Sequence, residues 1–121
     1  MSSKTMDTAG VMAYIASRYK VRILCLRRFQ NKLDESVFST LKKVIEDDER
    51  LLPLFKITER TIKGINGSEF VFLGIERNLS ELKGLDAISI TWIEEAEKIT
   101  ENQWNIIRPT ICLLYTSDAA D

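Results

Sequence analysis

The sequence predicts an α/β fold built on a mainly parallel sheet, and three observations predict it. Two short runs, residues 21–26 and 88–93, are nearly continuous in apolar and β-branched side chains. Strands buried on both faces read this way, and such strands belong to parallel sheets. Segments of helical period stand before, between and after the two runs. The resulting order of helix, strand, helix, hairpin, strand and helix is that of a chain that lays helices on a sheet. With 121 residues, the chain can bury one core and is too short for two.

Residues 5–18 carry small and apolar side chains at helical spacing: Ala9, Met12, Ala13 and Ala16, with Tyr14 and Ile15 beside them. This spacing predicts a helix packed on the sheet. The first buried strand follows at 21–26. Asp34 can cap a second helix, whose apolar stripe is Val37, Phe38, Leu41, Val44 and Ile45. That helix frays into the acidic residues 46–49 and stops near Pro53, where the ring ends helical bonding. Then the period changes. Residues 56–63 and 68–73 read as two strands of a hairpin around Ile65-Asn66-Gly67, where Asn-Gly supplies the turn. A short helical turn is expected over 79–83. The second buried strand ends abruptly in Glu94-Glu95. Thr100 and Gln103 stand three apart as a capping box, opening a helix with Trp104, Ile106 and Ile107. No repeat, low-complexity linker or domain boundary interrupts this order.

Composition excludes several classes. Formal net charge is -1, so the whole chain has no electrostatic bias toward nucleic acid or membrane. Any DNA contact must come from local clusters. No apolar run approaches the roughly 20 residues that span a bilayer. The first residues lack the basic start, apolar stretch and small-residue cleavage site of a signal peptide, so an intracellular protein is expected. There is no histidine, which excludes Ser-His and Cys-His catalysis and histidine-ligated zinc in this segment. Cys25 and Cys112 are too few for a disulfide framework or a metal site.

Residues 112–121 read Cys-Leu-Leu-Tyr-Thr-Ser-Asp-Ala-Ala-Asp. Composition alone allows a short apolar strand followed by a polar tail. Residue for residue, however, the segment is similar to the translation of a transposon-type adapter used in sequencing libraries. It is therefore expected to be an artefact and set apart from fold reasoning. Without Asp118 and Asp121 the net charge moves from -1 to +1, and Cys25 is left as the single genuine cysteine. The natural gene is expected to continue beyond Ile111.

Two places can carry chemistry. Glu94-Glu95 would sit at the carboxyl edge of a parallel sheet, where α/β proteins bind ligands. Adjacent like charges repel, and a bound cation relieves that cost. In a nucleotide hydrolase the first carboxylate can hold magnesium and the second can position and deprotonate the attacking water. Taken alone, the pair is better read as a solvated strand end. The preceding Ile88-Ser89-Ile90-Thr91-Trp92-Ile93, which has the form of a Walker B strand, raises the chemical reading. The second place is Ser2-Ser3-Lys4-Thr5. In a phosphate loop, small residues let backbone amides approach phosphate, the lysine reaches the β and γ phosphates, and the hydroxyl binds magnesium. Lys4-Thr5 fits the last two positions, and a helix N-terminus adds its dipole. Ser3 stands where the pattern has glycine, and the first glycine is absent. A lone Lys-Thr near a terminus is usually solvated; its value here comes from pairing with Glu94-Glu95 across an α/β arrangement.

Together these segments resemble the ATPase domain of the bacteriophage terminase large subunit. The likeness runs in order through Lys4-Thr5, Arg22-Ile23-Leu24-Cys25-Leu26-Arg27-Arg28-Phe29-Gln30 and Asp34-Glu35-Ser36-Val37. It continues through Asn66-Gly67-Ser68-Glu69-Phe70, Leu82-Lys83-Gly84-Leu85-Asp86, Trp92-Ile93-Glu94-Glu95-Ala96 and Pro109-Thr110-Ile111. It covers residues 1–111, and the ordered set carries it. The serine at position 3 also occurs in variant loops of that family. In such terminases Gly-Gly-Arg precedes this loop, so the resemblance implies that Met1 is an internal methionine at which a truncated gene was called.

The resemblance implies a P-loop NTPase of the RecA-like kind, a mainly parallel sheet with an inserted β-hairpin, truncated at both ends. Residues 1–111 would be a partial ATPase domain and 112–121 the artefact. It implies ATP and Mg2+ as ligands: Lys4 on the β and γ phosphates, Ser2 and Ser3 in loop contacts, Thr5 and Glu94 at magnesium, and Glu95 as the catalytic carboxylate. The arginine expected at the γ phosphate, the coupling segment and the nuclease domain of the family lie beyond these residues. Double-stranded DNA, the portal protein, a small terminase subunit and further copies of the chain on the portal are the implied partners. The implied place is the host cytoplasm, with no membrane. Arg27, Arg28 and Lys32 form a basic cluster that could meet DNA or couple nucleotide state to movement, although a solvated loop is the commoner reading. Trp92 and Trp104 are expected in the core, and Cys25 as a small buried hydrophobe. Two alternatives stay open: another P-loop ATPase such as a helicase-like enzyme, which a second RecA-like domain would mark, and a non-enzymatic DNA-binding or capsid-associated module, which would not bind Mg-ATP. Cut at both ends, the piece alone is expected to be poorly stable, because parallel strands need neighbours.

Overall fold

Small residues let the first helix lie close on the sheet. In α1 (Ser3–Arg18) the stripe Ala9, Met12, Ala13 and Ala16 is buried, while Val11 and Tyr14 face outward and the Arg18 guanidinium lies 5.6 Å from the Tyr14 ring centre. The computed structural model of the chain describes residues 3–27, 37–74, 87–94, 100–107 and 114–117. Asp34 and residues 79–83 lie outside them.

Three residues separate β1 (Arg22–Arg27) from the end of α1. Its apolar run Ile23 to Leu26 is almost wholly buried, as expected for a strand covered on both faces. α2 (Val37–Asp47) buries Val37, Phe38, Leu41 and Ile45, with Val44 packed beside them. The helix stops at Asp47, well before Pro53, and the reason is local. The Asp48 carboxylate accepts the Arg50 N–H at 2.9 Å, giving the backbone an alternative to the helical ladder. Pro53 instead sits in a 3-10 turn, Leu52–Leu54.

The strand expected over 56–63 is two strands. β2 (Phe55–Ile57) and β3 (Ile62–Gly64) pair antiparallel. Thr58 and Thr61 close the turn between them: the Thr61 N–H donates to Thr58 Oγ1 at 3.1 Å, and the two hydroxyls are 2.6 Å apart. Threonine hydroxyls favour turns by this kind of local bond. The second turn is the expected one. β3 and β4 (Glu69–Gly74) are joined through Ile65-Asn66-Gly67, with Gly67 at φ 97° and its N–H on the Gly64 carbonyl at 3.1 Å. A three-residue hairpin loop needs a residue in the left-handed region at this point, which glycine adopts at little cost. Asn66 Nδ2 donates to the Ala16 carbonyl at 3.0 Å, satisfying one of the carbonyls left over at the end of α1.

β5 (Ile90–Glu94), α3 (Glu101–Ile107) and β6 (Leu114–Ser117) complete the order. The capping box before α3 is present in both directions: the Thr100 N–H donates to Gln103 Oε1 at 3.0 Å, and the Gln103 N–H to Thr100 Oγ1 at 3.2 Å.

Among the described residues six strands form one sheet in the order β2-β3-β4-β1-β5-β6. β4, β1, β5 and β6 are parallel, and the β2–β3 hairpin extends the sheet antiparallel beyond β4. α1 and α2 join the core on the face that carries Ile23, Cys25, Ile62, Phe70, Ile90 and Trp92. On the other face Leu24, Leu26, Thr91 and Ile93 are buried too. Cys25 is buried in this packing. Trp92 is wholly buried, and its Nε1 has no hydrogen-bond partner among the described residues.

Candidate functional site

Because β4, β1, β5 and β6 run the same way, their carboxyl ends make one edge of the sheet. Arg27 closes β1 opposite Gly74 of β4, and Glu94 closes β5 opposite Ser117 of β6. Ligands of open parallel sheets bind beyond this edge. α1 leads back to it. Its far end is tied to the opposite edge, where Ser68 Oγ donates to the Tyr19 carbonyl at 2.7 Å and accepts the Val21 N–H at 3.0 Å. Sixteen residues at ~1.5 Å each span about 24 Å, slightly more than a six-residue strand at ~3.3 Å per residue. The first turn of α1, with Ser3, Lys4 and Thr5, therefore returns to the carboxyl edge of the sheet.

Of the residues singled out in the sequence, Ser3, Lys4 and Thr5 thus begin α1, Arg27 ends β1 and Glu94 ends β5. Ser2, Arg28, Lys32 and Glu95 lie outside the described residues. The chemistry of this set suits a nucleotide with its metal. A helix N-terminus carries about half a positive charge and unpaired amides that favour phosphate. A carboxylate and a hydroxyl are hard oxygen donors of the kind magnesium takes alongside phosphate oxygens and water. Among the described residues no group of three or more Asp, Glu, Cys and His is placed to hold a metal through protein ligands alone. A magnesium site completed by substrate phosphates does not need one. Nor does any helix among them have the length and apolarity to cross a membrane.

A mainly parallel sheet with helices laid on it in this order has the fold of P-loop NTPases, and solved structures share this fold. The model of the phage terminase large subunit family matches residues 1–118, and the chain belongs to that family. A large terminase from a thermophilic bacteriophage superposes with a TM-score of 0.71 at 14% identity, covering 94% of this chain and 30% of its own. The large terminase ATPase domain of Thermus phage P74-26 gives a TM-score of 0.65 at 14% identity, over 93% of this chain and 55% of that one. This chain therefore spans less than two thirds of either structure. No curated protein matches it in sequence.

Proposed function

We propose that this chain is the core of the ATPase domain of a viral DNA-packaging motor, in which ATP hydrolysis drives double-stranded DNA into a procapsid. The observation that carries the reading is the shared edge: the helix that opens with Ser3-Lys4-Thr5 and the strand that ends in Glu94 lead to the same side of one parallel sheet. Membership of the terminase family supports it. Residues 1–111 are read as domain sequence, and residues 112–121 as foreign to the gene on their ten-residue likeness to adapter. The activity belongs to the longer protein, with a portal, a small terminase subunit and further copies as partners, in the host cytoplasm.

In this reading Lys4 binds the β and γ phosphates, and the loop amides around Ser2 and Ser3 hold them in place. Thr5 and Glu94 supply oxygens to Mg2+, which when bound neutralises charge developing on the phosphates. Glu95 orients the attacking water and takes its proton as the water oxygen bonds to the γ phosphorus and the bond to ADP breaks. Arg27, the last residue of β1, and Arg28, next in the sequence, are candidates for DNA contact or coupling.

The test is made on the full-length protein. Glu95→Gln is expected to retain ATP binding while turnover falls ~10²–10⁴-fold, the usual share of a general base. Lys4→Ala is expected to weaken nucleotide binding itself. Near-normal turnover in the first variant, or unchanged ATP affinity in the second, would overturn the assignment.

A further inference from the structure

Lys56 and Lys63 stand directly opposite each other across the β2–β3 hairpin. Their neighbours Phe55, Ile57 and Ile62 pack into the core, so both lysines project from the other face, and both are exposed. Like charges facing each other in an antiparallel pair repel. The next position along the same row is Glu69 of β4, but its carboxylate is held by Arg22 of β1 at 2.7 Å. The row Lys56, Lys63, Glu69, Arg22 thus contains three cations and one acid, and the acid is engaged at the far end. Among the described residues, the salt bridges join other pairs and leave both lysines out.

Protection of an open edge accounts for Lys56, because β2 is the outermost strand and lysine there discourages pairing with another chain. It does not account for Lys63, since β3 is paired on both sides. An anion set between the two ammonium groups relieves their repulsion. That anion is not the nucleotide: the row lies where β1 and β4 begin. Five residues of strand, about 16 Å at ~3.3 Å each, separate it from the edge that carries Arg27 and Glu94. Two flexible lysines on an open sheet face suit a polyanion that presents successive phosphates. The turn of the same hairpin adds no net charge, since exposed Arg60 stands beside exposed Glu59, so the cationic character rests on the two lysines.

We propose that the solvent face of the β2–β3 hairpin, through Lys56 and Lys63, is a contact for the phosphate backbone of duplex DNA; this rests on the DNA-packaging reading above. The contact is independent of base sequence, because ammonium groups on phosphates position a duplex without reading it.

The experiment measures binding of unrelated duplex DNA sequences to the full-length protein across a salt series, with Mg-ATP binding followed on the same samples. Each lost phosphate contact lowers the slope of log affinity against log salt by ~0.9. The double variant Lys56→Gln with Lys63→Gln is expected to lose about 2 from that slope, to weaken every sequence alike and to keep its Mg-ATP affinity. Lys56→Arg with Lys63→Arg is expected to keep the slope. An unchanged slope in the glutamine variant, or loss of its Mg-ATP binding, overturns the contact. A wild-type protein that binds Mg-ATP but no duplex overturns it too and leaves the ATPase reading standing. A lysine-dependent slope in a protein that cannot bind Mg-ATP upholds the contact and removes the ATPase.

Discussion

Ser68 is 1% exposed, and its hydroxyl bonds the Tyr19 carbonyl and the Val21 amide at the link between α1 and β1. These partners lie 49 and 47 residues away in sequence, so nothing local to Ser68 announces the role. Ser68→Ala leaves both backbone groups without this partner, and an unmet polar group in a part-buried setting costs about 1–3 kcal/mol. Denaturant unfolding of the full-length protein is expected to show the stability of this domain lowered by that amount, through a lower midpoint at unchanged slope. A loss under about 0.5 kcal/mol, the ordinary surface value, would mean that water replaces the hydroxyl. Other residues were legible because their reasons are local or compositional. Gly67 is where a tight turn needs a left-handed residue, and Cys25 and Trp92 are buried because their strands are apolar runs. Glu94 was legible for the same reason: a charge that interrupts a buried strand marks the strand's end.

At the scale of elements, α3 shows how much a local signal can decide. A helix of seven residues is far below the length at which isolated helices are stable in water, so its start depends on the reciprocal Thr100–Gln103 box. Thr100→Ala is expected to cost about 1 kcal/mol and to speed amide exchange across residues 101–107, leaving β1 and β4 protected. Unchanged exchange in α3 would show that packing, and not the cap, starts the helix. The hairpin shows the opposite case. Read as one strand, residues 56–63 put Lys56 and Lys63 on opposite faces, because they are seven apart and side chains alternate. The Thr58–Thr61 turn folds that stretch on itself and brings the lysines face to face. β-branched threonines favour strands by propensity, and only the bonds between them reveal the turn. α2 misled in the same way: Pro53 is the visible breaker, yet the Asp48 side chain ends the helix first.

For the whole molecule the telling strand is β6. It pairs with β5 along Thr91 to Glu94, and it is drawn from residues 112–121, expected from their sequence to be foreign although the family match runs to residue 118. Strand pairing is made by main-chain bonds, so an extended segment of any sequence can fill this place in the sheet, and the physical consequence does not depend on where the segment comes from. β5 is flanked by β1 and β6, and it holds Trp92 and Ile93, both wholly buried. Ending the chain at Ile111 turns β5 into an open edge of apolar residues, the arrangement that invites aggregation. It also removes a neighbour that parallel strands need. Residues 1–111 alone are therefore expected to be poorly soluble and to melt without a cooperative transition, as followed by circular dichroism. Adding back residues 112–121, which supply the neighbour of β5, is expected to bring both solubility and cooperativity back. A soluble 1–111 chain with a sharp melt would show that the sheet from β2 to β5 is self-sufficient, and that β6 closes an edge the core does not require.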